Sequence, residues 1–356
     1  MNKFYTILTG IVLAILTSSV LISKPQDPKE PFPYEVKEVE FENAEDNIKI
    51  AGTLTIPEGD DDYPLIILLN GSGAQNRDSE ILGHKPFWVL ADHLSRNGIA
   101  TLRMDDRGVG GTGGEYGTAS LFDFVADAQA ALDYIKSQDL NISEIGVLGH
   151  SLGGAVATIM SSNSEDIDFM VLMASGGIKG DKLMLLQKAA IERKMGMTEM
   201  QVEASGKQIE GAYDIINENA DKTNEELRLL VSNYFNGLYN GQAPATQLKA
   251  ITDQLTAPWF VDYVRIDPAD YLKNINCRVL ALNGMNDLQV LPDENLAGIE
   301  KGLKLAENNQ LTIKKYDKLN HLMQESETGM PQEYSTIEQT IAPVVLEDIA
   351  NWINGE

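Results

Sequence analysis

The chain has 356 residues, 43% hydrophobic and 23% charged, enough for one large α/β domain with an insertion or for about two ordinary domains. Its formal net charge of −25 weighs against nucleic acid or an anionic membrane surface as a partner, since both would repel it. The single cysteine, Cys277, excludes an intrachain disulfide and a cysteine metal cluster, and it reads as a small buried hydrophobe at the start of a strand.

Lys3 precedes an apolar run from Phe4 to Ile22, and a polar, proline-rich stretch from Ser23 to Pro33 follows. A short basic start and an apolar middle predict a secretory leader, and the run is long enough to span a bilayer if it is kept as an anchor. Residues 1–23 are therefore expected to be a signal peptide or N-terminal anchor and residues 24–33 a linker. The protein is expected to be exported, periplasmic or extracellular, and to meet a membrane only if that segment is retained.

Tyr34–Phe41 and Ile48–Ile56 alternate apolar and polar residues around the polar turn Asn43–Asn47, which predicts an antiparallel hairpin at the start of a sheet. Leu65–Leu69 is a buried strand, and the glycine loop Asn70-Gly71-Ser72-Gly73 follows it. Pro86–Asn97 reads as a helix stopped by Gly98, and Ile99–Met104 as the next strand. In Asp105-Asp106-Arg107-Gly108, Arg107 is expected to brace neighbouring loops through carboxylate pairs. Leu121–Ile135 carries Leu121, Phe124, Val125, Ala128, Leu132 and Ile135 at helical spacing.

Glu144–Thr158 reads EIGVLGHSLGGAVAT: a short apolar strand, the turn Gly149-His150-Ser151-Leu152-Gly153, then small, helix-compatible residues. Strand, tight turn and helix give a G-x-S-x-G its mechanism, because the central serine is lifted to the tip of a sharp turn at the carboxyl end of the sheet. Glycine is needed at Gly149 and Gly153, where side chains would collide. The Leu152 N–H, at the start of the helix, faces where an oxyanion would form. A loop such as that at Ser72, directly after an early strand, is where a second oxyanion donor belongs. His150 is expected to point away, to the sheet side of the turn.

Phe169–Ala174 is one more strand, and then the alternation stops. Gly180–Asn240 is helical in pattern, and about 100 residues pass before the next strand, too many for an ordinary connection. Residues 180–263 are expected to be a helical cap inserted at the carboxyl edge of the sheet above the active site, with residues 34–179 and 264–356 as the core. Trp259 and Phe260 are expected to wall a substrate pocket. Arg278–Leu282 resumes the strand pattern, followed by Asn283–Asp287, a helix over Asp293–Ala306 and a strand over Leu311–Tyr316. The loop Lys318–Leu322 comes next, and Pro343 opens the last helix, with Val345, Ile349 and Trp352 on its inner face.

Strands alternating with helices imply a mostly parallel, doubly wound sheet whose functional residues lie on loops at the carboxyl ends of strands. Ser151, Asp287 and His321 all fall on such loops, in the order expected of a hydrolase triad. Of the four histidines only His321 follows both nucleophile and acid. For the acid, Asp287 stands at a strand end, whereas Asp293 falls where it would cap a helix. In this reading His321 takes the serine proton, Asp287 orients the imidazole, the N–H groups of Leu152 and Ser72 hold the oxyanion, and no metal or cofactor is required.

The chain resembles the EstD-type bacterial serine esterases of the α/β-hydrolase superfamily over nearly its whole length after the leader. The resemblance rests on NGSGAQNRD at Asn70–Asp78, RMDDRGVGGTGG at Arg103–Gly114, GHSLGG at Gly149–Gly154, APWFVDYVRIDP at Ala257–Pro268, ALNGMNDLQVLP at Ala281–Pro292 and LNHLMQ at Leu319–Gln324. It implies the α/β-hydrolase fold and hydrolysis of small carboxylic esters with short acyl chains through Ser151, Asp287 and His321. Two rival classes use the same residues: a serine peptidase or acyltransferase of this fold, and a binding protein that kept the fold without turnover.

Overall fold

A computed structural model describes residues 23–59 and 61–356. The leader expected over residues 1–23 falls, but for Ser23, outside the described residues. Eight strands form one sheet: β1 (Tyr34–Asn43), β2 (Ile48–Pro57), β3 (Tyr63–Leu69), β4 (Ala100–Met104), β5 (Ile142–His150), β6 (Phe169–Met173), β7 (Arg278–Gly284) and β8 (Leu311–Tyr316). Their spatial order is β1-β2-β4-β3-β5-β6-β7-β8. The pairs β1–β2 and β2–β4 are antiparallel and every other pair is parallel.

The burial of each strand follows from its place in that order. In β3, Leu65, Ile66, Ile67 and Leu68 are all at most 1% exposed, as a strand covered on both faces must be. The outer strand β1 instead presents Glu35, Lys37, Glu38, Glu40 and Glu42 to solvent, charges that discourage pairing with another chain's edge. From β3 the chain steps to β4 on one side, and from β5 it steps through β6, β7 and β8 on the other. Such a reversal opens a crevice beyond the carboxyl ends of β3 and β5, the place where open α/β sheets bind ligands.

Helices at Pro86–Arg96, Leu121–Ser137, Leu152–Ser162, Pro292–Leu305 and Pro343–Asn354 accompany these strands. One core joins Phe87, Leu90 and Leu94 of the first helix to Val345, Ile349 and Ile353 of the last, around Ile66, Leu148, Val171 and Leu280 of the sheet. Arg107 does brace the structure: its guanidinium reaches Asp127 at 2.6 Å and Asp46 at 2.5 Å, joining the helix Leu121–Ser137 to the β1–β2 turn. Burial pushes the thiol of the half-buried Cys277 up to about 11.

The chain divides into two compact units. The smaller contains Gly117–Leu121 and Lys179–Asp267. Its helices run Gly180–Lys194, Glu199–Glu218, Asn224–Leu238, Ala245–Leu255 and Pro258–Arg265, so helix continues beyond Asn240 after the break at Asn240–Pro244. Capping boxes at Thr198/Gln201 and Thr223/Glu226 start two of them. Ile209, Tyr213, Ile216, Leu227, Val231, Phe235, Leu255 and Val264 form this unit's own core. Inside it, Lys188 is paired with Glu192, and both are bonded to Ser205.

The stretch expected as a linker is tied down. Gln26 accepts the N–H groups of Thr340 and Ile341 and donates to the Ile341 carbonyl at 2.8 Å, and Lys24 donates to the Ile337 carbonyl. Among the described residues, no helix is long and apolar enough to cross a membrane.

One close contact tests the packing of the sheet face. A Cβ on Gly146 of β5 would lie 2.1 Å from the Phe169 ring on β6, and that ring is itself held by the Arg278 guanidinium 4.7 Å from its centroid. Gly146→Ala should therefore cost about 1–3 kcal/mol, the usual penalty of an overpacked core. Urea unfolding of wild type and variant reads this directly; an unchanged midpoint would mean that the ring can move aside freely.

Candidate active site

The site is built outward from the end of β5. Ser151 adopts φ 55° and ψ −117°, a conformation that costs a non-glycine residue of the order of 1–3 kcal/mol and clusters at functional sites. The turn is pinned by Ser151 N–H to the Met173 carbonyl at 3.0 Å and by Gly154 N–H to the Ser151 carbonyl at 3.0 Å. A Cβ on Gly149 would meet the Gly153 carbonyl oxygen at 2.1 Å, the collision across the turn expected from the sequence. A Cβ on Gly153 would strike the Leu69 and Asn70 carbonyl oxygens at 2.2 and 2.5 Å, so the turn also presses against the end of β3. Among the described residues the Ser151 hydroxyl makes no hydrogen bond; nucleophile–base contacts are often loose without substrate and tighten in the reacting complex.

Asp287 and His321 are brought together. The imidazole Nδ1 lies 2.8 Å from Asp287 Oδ2, and both residues are buried. The other carboxylate oxygen, Oδ1, accepts the N–H groups of Gln289 at 2.8 Å and Val290 at 2.9 Å, which fixes the plane of the acid. Gln289 is held in turn by Tyr334, whose hydroxyl accepts its side-chain amide at 2.9 Å. Asp293 is on the surface, in the first turn of the helix Pro292–Leu305, paired with Lys315 at 2.6 Å. It does not meet His321, and Leu291 rather than Asp293 is the helix cap.

His150 corrects the sequence reading. Its ring does not turn away but packs 4.8 Å from the His321 ring, and its Nε2–H donates to the His321 carbonyl at 2.9 Å. The residue before the candidate nucleophile thus supports the loop of the candidate base. Burial, then the neighbouring His321, depresses the His150 pKa to about 3, so this imidazole is neutral and donates from one nitrogen only.

The loop after β3 runs beside the nucleophile turn: a Cβ on Gly71 would come 3.5 Å from Ser151 Cβ and 3.2 Å from His150 Nδ1. Ser72 is exposed. Along this loop Gly73 N–H donates to the Tyr116 hydroxyl at 2.8 Å, Gln75 N–H to Asp106 at 2.9 Å and Arg77 N–H to Asp105 at 2.8 Å. The N–H groups of Ser72 and Leu152 donate to no group among the described residues.

Trp259 and Phe260 lie in the smaller unit. Phe260 is 1% exposed within that unit's core, which makes it a packing residue and corrects its expected place on a pocket wall. Trp259 is half-buried against the same core, edge-on to Phe260, with its N–H on the Ala119 carbonyl.

The chain is similar to known proteins over much of its length. Residues 87–263 match the family described as serine aminopeptidase, S33. Over 312 residues, 85% of this chain, the sequence is 26% identical to Esterase EstD of Thermotoga maritima, and the chain spans 65% of that relative's length. Among solved structures, an esterase of Pyrococcus furiosus superposes with a TM-score of 0.55 at 17% identity, covering 95% of this chain and 100% of that one. Est1E of Butyrivibrio proteoclasticus, solved with ferulic acid bound, gives 0.52 at 16% identity over 89% of this chain and 98% of its own. The mostly parallel sheet, its antiparallel start and the strand–turn–helix at Ser151 are those of the α/β-hydrolase fold.

The buried histidine has a consequence for stability. His150 binds its proton in the unfolded chain near the ordinary histidine value of about 6.5, but in the folded chain only near 3. Its contribution is fully present above the unfolded value and is lost as pH falls through that window, because the unfolded state then holds the extra proton. The unfolding free energy, followed by urea titration between about pH 6.5 and 4.5, should fall less steeply in His150→Gln than in wild type. Parallel curves would mean that His150 is protonated in the folded protein.

Proposed function

We propose that this protein is a serine carboxylesterase that cleaves small esters, with short acyl groups preferred, through an acyl-enzyme on Ser151. The observation that carries the reading is the Asp287–His321 pair at 2.8 Å, whose histidine loop is bonded to the residue preceding a serine at positive φ. The similarity to Esterase EstD supports it.

The chemistry follows from the groups. His321 takes the Ser151 proton through Nε2 as the hydroxyl attacks the ester carbonyl. Asp287 accepts the Nδ1–H, keeps the imidazole in the required tautomer and stabilises its charged form. The N–H groups of Leu152 and Ser72 bond the oxyanion of the tetrahedral intermediate, each of order 2.7–4 kcal/mol to the transition state. His321 then protonates the leaving alcohol, and water repeats the sequence to free the acid.

Trp259 is proposed as a substrate-contacting residue that sets the acyl-chain preference. The apolar run Phe4–Ile22 supports export as the accompanying proposal. A peptidase is the second reading, favoured by the serine aminopeptidase family match. Rates on p-nitrophenyl esters beside aminoacyl anilides separate the two; anilide turnover exceeding that of the esters would select the peptidase.

Ser151→Ala should fold normally and lose at least about a hundredfold in ester turnover, since loss of a triad serine ordinarily costs far more. It should also lose labelling by a fluorophosphonate probe; a variant that still turns over esters at wild-type rate rules out Ser151 as the nucleophile. Asp287→Asn should lower kcat by up to about 10⁴-fold, because the amide favours the wrong imidazole tautomer. Asp293→Asn should leave kcat close to wild type, and the opposite ranking would transfer the acid role to Asp293.

A further inference from the structure

The loop that carries Ser72 is held by few contacts. Ser72, Gly73 and Ala74 are exposed, and Gly73 has φ 104° with no neighbour around the place a Cβ would occupy. Behind the loop lies a cavity lined by Leu69, Asn70, Asp106, Tyr116, Leu152 and Val156. A loop over a cavity takes its shape from hydrogen bonds more than from packing, and three of these recur. Gly73 N–H rests on the Tyr116 hydroxyl at 2.8 Å. Asp106 Oδ2 accepts the Gln75 N–H at 2.9 Å, and Asp106 Oδ1 accepts the Asn70 Nδ2–H at 3.0 Å. The Asp106 N–H also donates to the Gln75 carbonyl at 3.0 Å, so this one residue grips both ends of Asn70–Gln75.

We propose that Asp106 is a positioning residue for the ester reaction: its carboxylate clamps the two ends of the loop and so aims the Ser72 N–H at the oxyanion. The inference rests on the reading of Ser72 as an oxyanion donor. Asp106 touches no reacting atom and acts through Asn70 and Gln75.

Its neighbours explain why this clamp responds to pH. The adjacent Asp105 is the more deeply buried of the two, but Arg77 and the N–H groups of Gly111 and Arg77 overcome the burial and hold its carboxyl below the ordinary range. Among the described residues, the Asp106 carboxylate has only the Asn70 amide and the Gln75 N–H. Around it, Arg77 is committed to Asp105 and Glu38, and Arg107 to Asp127 and Asp46. The charges of Asp127, from the helix Leu121–Ser137, and of Asp105 oppose its ionisation, and Tyr116 contributes a neutral phenol. Burial, with those two carboxylates, pushes Asp106 up to about 7. Protonation removes one acceptor position, so the clamp is complete above that value and weakens below it.

The test is kcat and KM for p-nitrophenyl acetate in wild type and Asp106→Asn across pH. At about pH 8 the variant should lose roughly 10- to 100-fold in kcat, less than the 10²–10³ of removing an oxyanion donor outright, with KM nearly unchanged. At about pH 5.5 the gap should narrow, because the wild-type carboxyl is then itself protonated. A gap that stays constant with pH, or a change confined to KM, overturns the proposal.

Hydrogen exchange of wild type reads the clamp without turnover or mutation. Protection of the peptide containing Gln75, corrected for intrinsic exchange, should fall between about pH 8 and about pH 6. Equal protection at the two values overturns the clamp even if Asp106→Asn fails to fold. Exchange that behaves as expected in a protein without ester turnover would instead refute the esterase reading and leave the clamp standing.

Discussion

The close approach of two main-chain segments underlies the whole site. The Gly153 Cα sits so near the Leu69 and Asn70 carbonyl oxygens that even a methyl group would drive them apart. This contact fixes the distance between the Ser151 turn and the loop that leaves β3, and so the placement of Ser151 relative to Ser72. It also depends on the sheet: β3 and β5 are neighbours because the chain reverses its direction of travel between them. Any insertion of volume there would separate Ser151 from the loop that carries Ser72.

The histidine loop depends on the same turn from the other side. His150 adjoins Ser151 in the chain and bonds the His321 carbonyl, and its neutrality lets it donate there without placing a charge beside the His321 imidazole. Asp287 is fixed independently, by two backbone N–H groups of its own loop. Main-chain N–H groups thus hold the Asp287 carboxylate, and the His150 side chain holds the main chain of His321.

Much of this was legible in the sequence. The inner strands announce themselves because both faces are covered, which leaves runs such as Leu65–Leu69 almost free of polar residues. The loop positions of Ser151, Asp287 and His321 followed from strand ends, and the scarcity of histidine left one choice. Other features had no local sign. His150 and the His321 carbonyl lie 171 residues apart, and no periodicity relates them. Phe260 and Trp259 are adjacent aromatics in a helix of eight residues, and only the packing of five helices decides that the first is enclosed and the second partly open. Asp105 and Asp106 are identical in the sequence and opposite in their acidity, a difference made by an arginine on another segment.

The anchoring of Gln26 bears on the order in which the chain can be completed. Its side chain closes on Thr340 and Ile341 across 314 and 315 residues, among the longest separations in the molecule. Contacts so remote in sequence carry a large loop-closure entropy until the intervening sheet has formed and brought their ends together. During synthesis this strap has no docking site until nearly the whole chain has emerged, so Lys24 and Gln26 stay undocked while the sheet assembles. The segment therefore docks late, against the opposite end of the chain.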